Sequence, residues 1–342
     1  MEIFLKHHLI LKKIISCYIK YQIGNLKIML NFTTQTMNEI IDILKDKLSL
    51  LEPKDIVEFE VVNPDIVDST YAGNVVIADG FEHIYRGYKA WVDLAQILNC
   101  RFLTPTVETP SLIMIRFQKL NSDYSFHKNI KNKEEKYGSK SIFSKIHKNE
   151  EPSFVHYYRE ALKNVKIDKR LKILNLGVNS GDEFELIKEY SSNFENLELT
   201  GIDYCYSAID EATHKFLKCG NISFYKHDIN DLESLNLGKF DLIISIGTLQ
   251  SSNLDFNPLF MSIVQNQLKK SGAMILGFPN CRWVDGEMIY GARVKNYAYP
   301  EKSLLFKDAV FCKKYLQQKK FRVTLTGKDY LFLTATSIRK EK

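Results

Sequence analysis

Leu174-Asn175-Leu176-Gly177-Val178-Asn179-Ser180-Gly181-Asp182 is the stretch that decides how this chain is read. Leu171 to Leu174 before it is a short apolar strand signal, and Glu183 to Tyr190 after it carries apolar residues at helical spacing. Strand, small-residue turn and helix together let backbone approach a ligand beneath a helix N-terminus. Working outward, a second strand signal, Leu197 to Ile202, ends in Asp203. An acidic residue at that distance accepts hydrogen bonds from ribose hydroxyls in nucleotide-binding α/β folds. Ile222 to Tyr225 leads to Asp228, and Phe240 to Gly247 leads to Thr248-Leu249-Gln250.

This spacing fits either a dinucleotide or another adenosine cofactor. A dinucleotide fingerprint needs G-x-G-x-x-G, so that the pyrophosphate can approach and helix can pack on strand. Here the run is Asn175-x-Gly177-x-Asn179-x-Gly181, without glycine two places after Gly181 or at 184. It resembles instead the first motif of class I S-adenosylmethionine-dependent methyltransferases, acidic-x-Gly-x-Gly-x-Gly. The resemblance continues through Gly201-Ile202-Asp203-Tyr204, His227-Asp228-Ile229 and Phe240 to Gly247, four motifs in order over roughly residues 170–338. It implies an α/β fold: a seven-stranded Rossmann-like sheet over about 151–338, closed by an antiparallel hairpin, with a smaller N-terminal α+β region. It also implies S-adenosylmethionine as cofactor, held by Asn175, Gly177, Asn179, Gly181, Asp203, Tyr204, Asp228, Ile229, Ser245 and Gly247. Two positions depart from the family pattern. Asn179 replaces a glycine but tolerates a left-handed backbone. Asn175 keeps an acceptor where the family has a carboxylate, and loses the charge.

The 342 residues suggest four segments: a basic extension over 1–30, a small α+β domain over 31–120, a linker or lid over 121–150, and the cofactor-binding domain over 151–342. Residues 1–30 hold five lysines against one glutamate and so supply +4 of the formal +6. Lysines interrupt every apolar run there before a membrane span is reached, so no stable membrane insertion is expected. The segment reads as a poorly packed extension, with a basic membrane-surface helix as the alternative. Without it almost no net charge remains, which weakens any case for an electrostatic nucleic-acid binder. Six cysteines without a C-x-x-C pair, and histidines without ligand spacing, point to reduced thiols in a cytoplasmic protein and to no metal site.

Thr33 to Leu51 and Arg86 to Leu98 are expected helices; Ile56 to Val62, Phe102-Leu103 and Leu112 to Phe117 are expected strands. Asp68, Tyr71, Asn74 and His83 form a polar-aromatic run, either a solvated loop or a ligand-facing one. Residues 121–150 read as a linker, but Tyr137, Phe143 and His147 leave a lid across the cofactor mouth open. Later in the chain, Phe154 to Val165, Pro258 to Leu268 and Lys307 to Lys319 are helical. Lys269-Lys270-Ser271-Gly272 reads as a helix stop before a fifth strand, Ala273 to Phe278. Phe321 to Leu325 and Tyr330 to Thr336 read as a hairpin.

Residues 279–306 read as a long aromatic loop at the carboxyl end of the fifth strand, the edge where ligands bind in open α/β sheets. Acceptor binding is expected there, with Arg282, Asp285 and Tyr290 as the leading catalytic candidates, Glu287 as a further base, and Arg293 as a second anion holder. The Asn/Asp-Pro-Pro-aromatic motif of exocyclic-amine methylation is absent after the fourth strand, and Cys281 does not fit the pattern of a cysteine nucleophile. The acceptor is left as a small molecule or an RNA nucleotide. A nicotinamide-dependent oxidoreductase on the same sheet and a non-catalytic α/β binding module are the competing readings.

Overall fold

The computed structural model describes residues 29–125, 134–251, 253–291 and 302–339, and the chain divides into two units, Met1–Tyr124 and Ser125–Lys342. Most of the basic extension lies outside the described residues. Its last two residues do not, and Leu30–Asn31 form β1, which pairs in parallel with Phe59 and Glu60.

The first unit continues with α1 (Met37–Ser49), β2 (Ile56–Val62), β3 (Val75–Ala78), β4 (Phe81–Ile84), α2 (Tyr88–Ile97), β5 (Cys100–Thr109) and β6 (Leu112–Lys119). Its main sheet runs β1-β2-β6-β5, and β3 and β4 form a separate hairpin. Helix α1 starts later than its apolar pattern suggests because Thr36 caps it: the Glu39 amide donates to the Thr36 hydroxyl at 3.3 Å, and the Thr36 amide donates to the Glu39 carboxylate at 3.0 Å. Ile40, Leu44 and Leu48 recur at helical spacing and are buried. At the core centre Phe59 meets Phe32, Trp91 and Phe117 with ring centroids 5.1, 5.6 and 5.1 Å away.

The second unit adds α3 (Pro152–Asn164), β7 (Lys172–Leu176), α4 (Asp182–Tyr190), β8 (Glu198–Asp203), α5 (Tyr206–Lys215), β9 (Ile222–Lys226), β10 (Phe240–Ile246) and α6 (Phe256–Ser262). It ends with β11 (Leu268–Pro279), β12 (Cys281–Val284), β13 (Glu287–Tyr290), α7 (Ser303–Gln318), β14 (Phe321–Gly327) and β15 (Tyr330–Ser337). The seven-stranded sheet runs β14-β15-β11-β10-β7-β8-β9. Four neighbouring pairs are parallel, and β15 runs antiparallel between β11 and β14. This is the Rossmann-like sheet with its closing hairpin, as expected. Both faces are covered: α3, α4 and α5 pack on one through Phe154, Phe184 and Ile209, and α6 and α7 on the other through Phe260 and Leu316. That is why β7 and β10 read as continuous apolar runs.

Several expectations need correction. The loop at 279–306 contains the hairpin β12–β13, whose turn residues Asp285 and Gly286 take φ of 51° and 84°, the left-handed pair that closes a two-residue hairpin; residues 292–301, including Arg293, lie outside the described residues. An Asp-Gly pair does the same between β3 and β4, where Asp79 and Gly80 have φ of 51° and 82°. This second hairpin buries His83 and leaves Asp68, Tyr71 and Asn74 exposed, so the polar run does not share a face. Strand β5 passes through Pro105 because a register shift between Leu103 and Thr106 spans that residue, freeing it from the ladder. Strand β11 begins at Leu268, so Lys269-Lys270-Ser271-Gly272 lies in the strand; the preceding helix ends in a π turn, Ile263–Gln267. A register shift between Phe240 and Leu242 absorbs the extra residues.

Phe59→Ala should cost the first unit about 3–5 kcal/mol, the scale for emptying a packed aromatic site. With two tryptophans in the chain, urea unfolding followed by Trp91 fluorescence in a Trp283→Phe background checks this on one unit alone.

Candidate functional site

Strands β8 and β9 lie on one side of β7, while β10 and β11 lie on the other. The order of connection therefore reverses between β7 and β10, and an open sheet has its ligand crevice at the carboxyl ends there. Leaving β7, the chain turns through Gly177, Asn179 and Gly181 with φ of 74°, 46° and 87°. Asn179 thus does take the left-handed backbone. The turn is tied to β8: the amides of Gly177 and Val178 donate to the Ile202 carbonyl at 2.8 and 3.1 Å, and that of Asn179 to the Asp203 carboxylate at 2.9 Å. Leaving β10, Gly247 has φ of 73°. A Cβ on Gly177 would lie 1.9 Å from the Thr248 hydroxyl oxygen, so the two loops meet where only glycine fits.

The charges around this turn decide its ligand class. The first turn of α4 carries Asp182, Glu183 and Glu185. Carboxylates complement a helix N-terminus and use the position a pyrophosphate would need. The dinucleotide reading fails on this point as well as on glycine spacing. Glu183 is 1% exposed; one of its oxygens accepts from Lys148 Nζ at 2.7 Å and the other from Asn175 Nδ2 at 3.2 Å. Burial opposes the Lys148 ammonium, but Glu183 and Asp182 outweigh it and hold its pKa above the ordinary value. Asp203 receives amides from Asn179 and Cys205, yet burial still pushes its carboxyl above the ordinary range.

Of the other expected cofactor residues, Tyr204 is 51% exposed beside Asp203 with Lys226 Nζ 5.6 Å over its ring. Asp228 accepts from the Asn230 amide at 2.9 Å and caps the turn that buries Ile229. Ser245 is buried and donates to the Leu176 carbonyl at 3.3 Å, which braces β10 against β7.

The stretch 134–150 is built on this edge through short 3-10 turns. Asn179 Nδ2 donates to the Tyr137 carbonyl at 2.7 Å, Ser207 Oγ to Glu135 Oε2 at 2.5 Å, and Lys226 pairs with Glu134 at 2.9 Å. A Cβ on Gly138 would meet Glu135 and Ser207 at 2.0 and 2.4 Å, so this glycine permits the close approach. Lys148 and Asn149 complete the attachment at α4.

On the far side of the crevice, Arg282 donates to the carbonyls of Tyr290 and Gly291 at 2.7 and 3.1 Å, bracing its hairpin, and Asp285 forms the hairpin's turn. Tyr290 is 40% exposed with Lys302 Nζ 4.7 Å over its ring. Against this hairpin sits a group the sequence reading did not find. Asp329 accepts from Ser153 Oγ at 2.5 Å, its carbonyl receives the Asn280 amide at 2.8 Å, and Glu151 precedes α3. Burial first, then Asp329 and Glu287, raise the Glu151 carboxyl. Burial pushes the Cys281 thiol up to about 12, so it is not a nucleophile at neutral pH.

Residues 167–324, most of the second unit, match the family model described as a methyltransferase domain. Over these residues the chain carries a methyltransferase domain. It is an enzyme of that class, and its methyl donor is S-adenosylmethionine. Among curated proteins none matches the chain. Similar solved structures include the CurJ carbon methyltransferase (12% identity, covering 73% of this chain and 79% of that chain, TM-score 0.46). Another is N-methyltransferase NodS from Bradyrhizobium japonicum WM9 with S-adenosyl-L-homocysteine (15%, 64% and 100%, 0.41). A third is magnesium protoporphyrin IX methyltransferase from Synechocystis PCC 6803 with bound SAM (18%, 54% and 77%, 0.36).

Among the described residues of this methyltransferase, no group of three His, Cys, Asp or Glu side chains could hold a metal, and no helix is long and apolar enough to cross a membrane. Gly177→Ala should abolish binding of S-adenosylhomocysteine and lower the melting temperature, because both φ and Thr248 oppose a Cβ. Asn179→Gly keeps the turn and loses only the bond to Tyr137. It should shift stability by no more than about 1.5 kcal/mol. Thermal melts and calorimetry on the two variants check the contrast.

Proposed function

We propose that this methyltransferase binds S-adenosylmethionine across the turn 175–181 and transfers its methyl group to a small-molecule acceptor that is not an anion. In this reading Asp203 takes the ribose hydroxyls, Tyr204, Asp228 and Ile229 flank the adenine, and Asn175, Gly177, Asn179, Gly181 and Gly247 admit the amino-acid end. Ser245 acts indirectly, by holding β7 in register. What favours this fit is the space kept clear of any Cβ at Gly177, the left-handed backbone at Asn179, and a buried acceptor, Asn175 Oδ1, that has no hydrogen-bond partner among the described residues.

The bound cofactor supplies an electrophilic methyl on a sulfonium. The chain's part is to hold the acceptor in line, exclude water, and take a proton where the acceptor atom carries one. In this reading Tyr290, partly exposed on the hairpin, orients the acceptor, while Arg282 and Asp285 keep the hairpin in shape. Glu151 is the base this geometry favours, since a carboxyl raised toward neutrality is better matched to proton transfer.

The observation that carries the acceptor class is the grouping of Glu151, Asp329 and Glu287 beside the hairpin. Like charges there would repel the phosphates of an RNA strand and accept a neutral or cationic molecule. Five free thiols, at Cys100, Cys205, Cys219, Cys281 and Cys312, support a reducing, cytoplasmic setting for the enzyme.

Incubating the enzyme with methyl-labelled cofactor and cell extract should place label in the small-molecule fraction; label in RNA would overturn the acceptor class. Asp203→Ala should weaken S-adenosylhomocysteine binding by roughly 1.5–3 kcal/mol, the scale for bonds to a charged group, and unchanged calorimetric affinity would remove it from the ribose site. Glu151 also makes stability depend on pH. Its folded pKa lies above the ordinary 4.5, so its favourable contribution is complete below 4.5 and is lost as pH rises through the raised value. The melting temperature of Glu151→Gln should therefore gain on wild type as pH rises from 4.5.

A further inference from the structure

The family places a carboxylate at the end of the first sheet strand, and this chain has Asn175 there. The structure puts a different carboxylate next to it. Glu183, eight residues on and 1% exposed, accepts from Asn175 Nδ2 at 3.2 Å and from Lys148 Nζ at 2.7 Å. The other end of the same amide is the anomaly. Asn175 is wholly buried, yet its Oδ1 has no partner among the described residues, and the hydroxyl of Tyr158 is likewise buried and unpartnered. Buried acceptors are rarely left so, and one at a proposed ligand turn marks a donor still to come.

We propose that Glu183, acting through Asn175, is the charged group that holds the α-ammonium of the cofactor's amino-acid end. The inference rests on the reading that the donor binds at this turn. Asn175 Oδ1 accepts the ammonium directly. The Glu183 carboxylate, bonded to the opposite end of the amide, polarises it and makes that oxygen a stronger acceptor. The negative charge removed from position 175 is thereby restored one bond further out. Lys148 fixes Glu183 from its second oxygen and fastens the 134–150 stretch to the first turn of α4. Glu183 is a positioning residue, since it reaches the ligand only through Asn175.

Two nucleoside probes separate this role from a structural one. S-Adenosylhomocysteine carries the amino-acid end, and 5′-methylthioadenosine is the same thioether without it. In wild type the first should bind more tightly by calorimetry. Glu183→Gln should weaken S-adenosylhomocysteine by about tenfold to a hundredfold, the scale of a bond to a charged group, and leave methylthioadenosine unchanged. Because this variant strands Lys148, Lys148→Met with Glu183→Gln removes both charges together and should show the same selective loss. Asn175→Asp with Glu183→Gln moves the carboxylate to the family's position and should recover the preference for S-adenosylhomocysteine. Equal weakening of both probes, wild-type affinity in the variant lacking both charges, or no recovery in the relocated variant would overturn the inference. Failure of wild type to bind either probe would instead overturn the cofactor reading on which it rests, and the inference with it.

Discussion

Everything at the carboxyl edge of the second unit depends on two loops passing within atomic contact at Gly177. The turn after β7 and the loop after β10 leave the sheet in opposite directions, and Thr248 stands where a side chain at 177 would begin. A turn this tight needs left-handed backbone, found at Gly177, Asn179 and Gly181. Its amides are then committed to the end of β8, so the turn and Asp203 are positioned as one object. The parallel sheet makes this possible, because its central strands are covered on both faces and the only open backbone lies at their ends.

Charge determines what that edge can receive. Acidic residues fill the first turn of α4, and Lys148 and Lys215 partly offset them. A buried carboxylate that loses its partner is far more costly than a surface one, so Lys148 and Glu183 have to be considered together. That coupling makes the 134–150 stretch part of the edge: it supplies Lys148, Asn149, Glu135 and the Tyr137 carbonyl to elements that come later in the chain.

The sheet was legible because its signals are local. Apolar runs of strand length, a small-residue turn and an acidic residue at each strand end recur in the right order, and the seven-stranded architecture follows from them. The two unforeseen hairpins were equally local: Asp79-Gly80 and Asp285-Gly286 are both left-handed pairs, and both lay in stretches read as loops because no long apolar alternation flanks them. The buried polar groups were not legible. Glu183 looks like one of several acids on a solvated helix face, and its partner Lys148 is thirty-five residues away in a charged, apparently linker-like run. Glu151 and Asp329 are farther apart still, and only the fold brings them to one place. Periodicity reports which face an element buries, and it is silent on a charge drawn into that face by a distant partner.

The two carboxylate groups also differ in kind, and that difference orders the edge. Around α4 each acid has a near partner: Lys148 for Glu183, Lys215 for Glu185, amides for Asp203. Hydrogen-bonded in this way, such groups are held in place, which suits holding a ligand. Beside the hairpin, burial first and then Asp329 and Glu287 act on Glu151 against the opposing Lys328, so its proton is held more tightly. Burial and like charges brought together both disfavour ionisation, which raises the Glu151 carboxyl above its ordinary range. In the proposed reading, partnered groups at the donor end and a carboxyl with a raised pKa at the acceptor end form a division of labour suited to methyl transfer onto an acceptor that carries a proton. In the proposed reading the fold produces it by pairing charges on one side of the switch point and crowding them on the other.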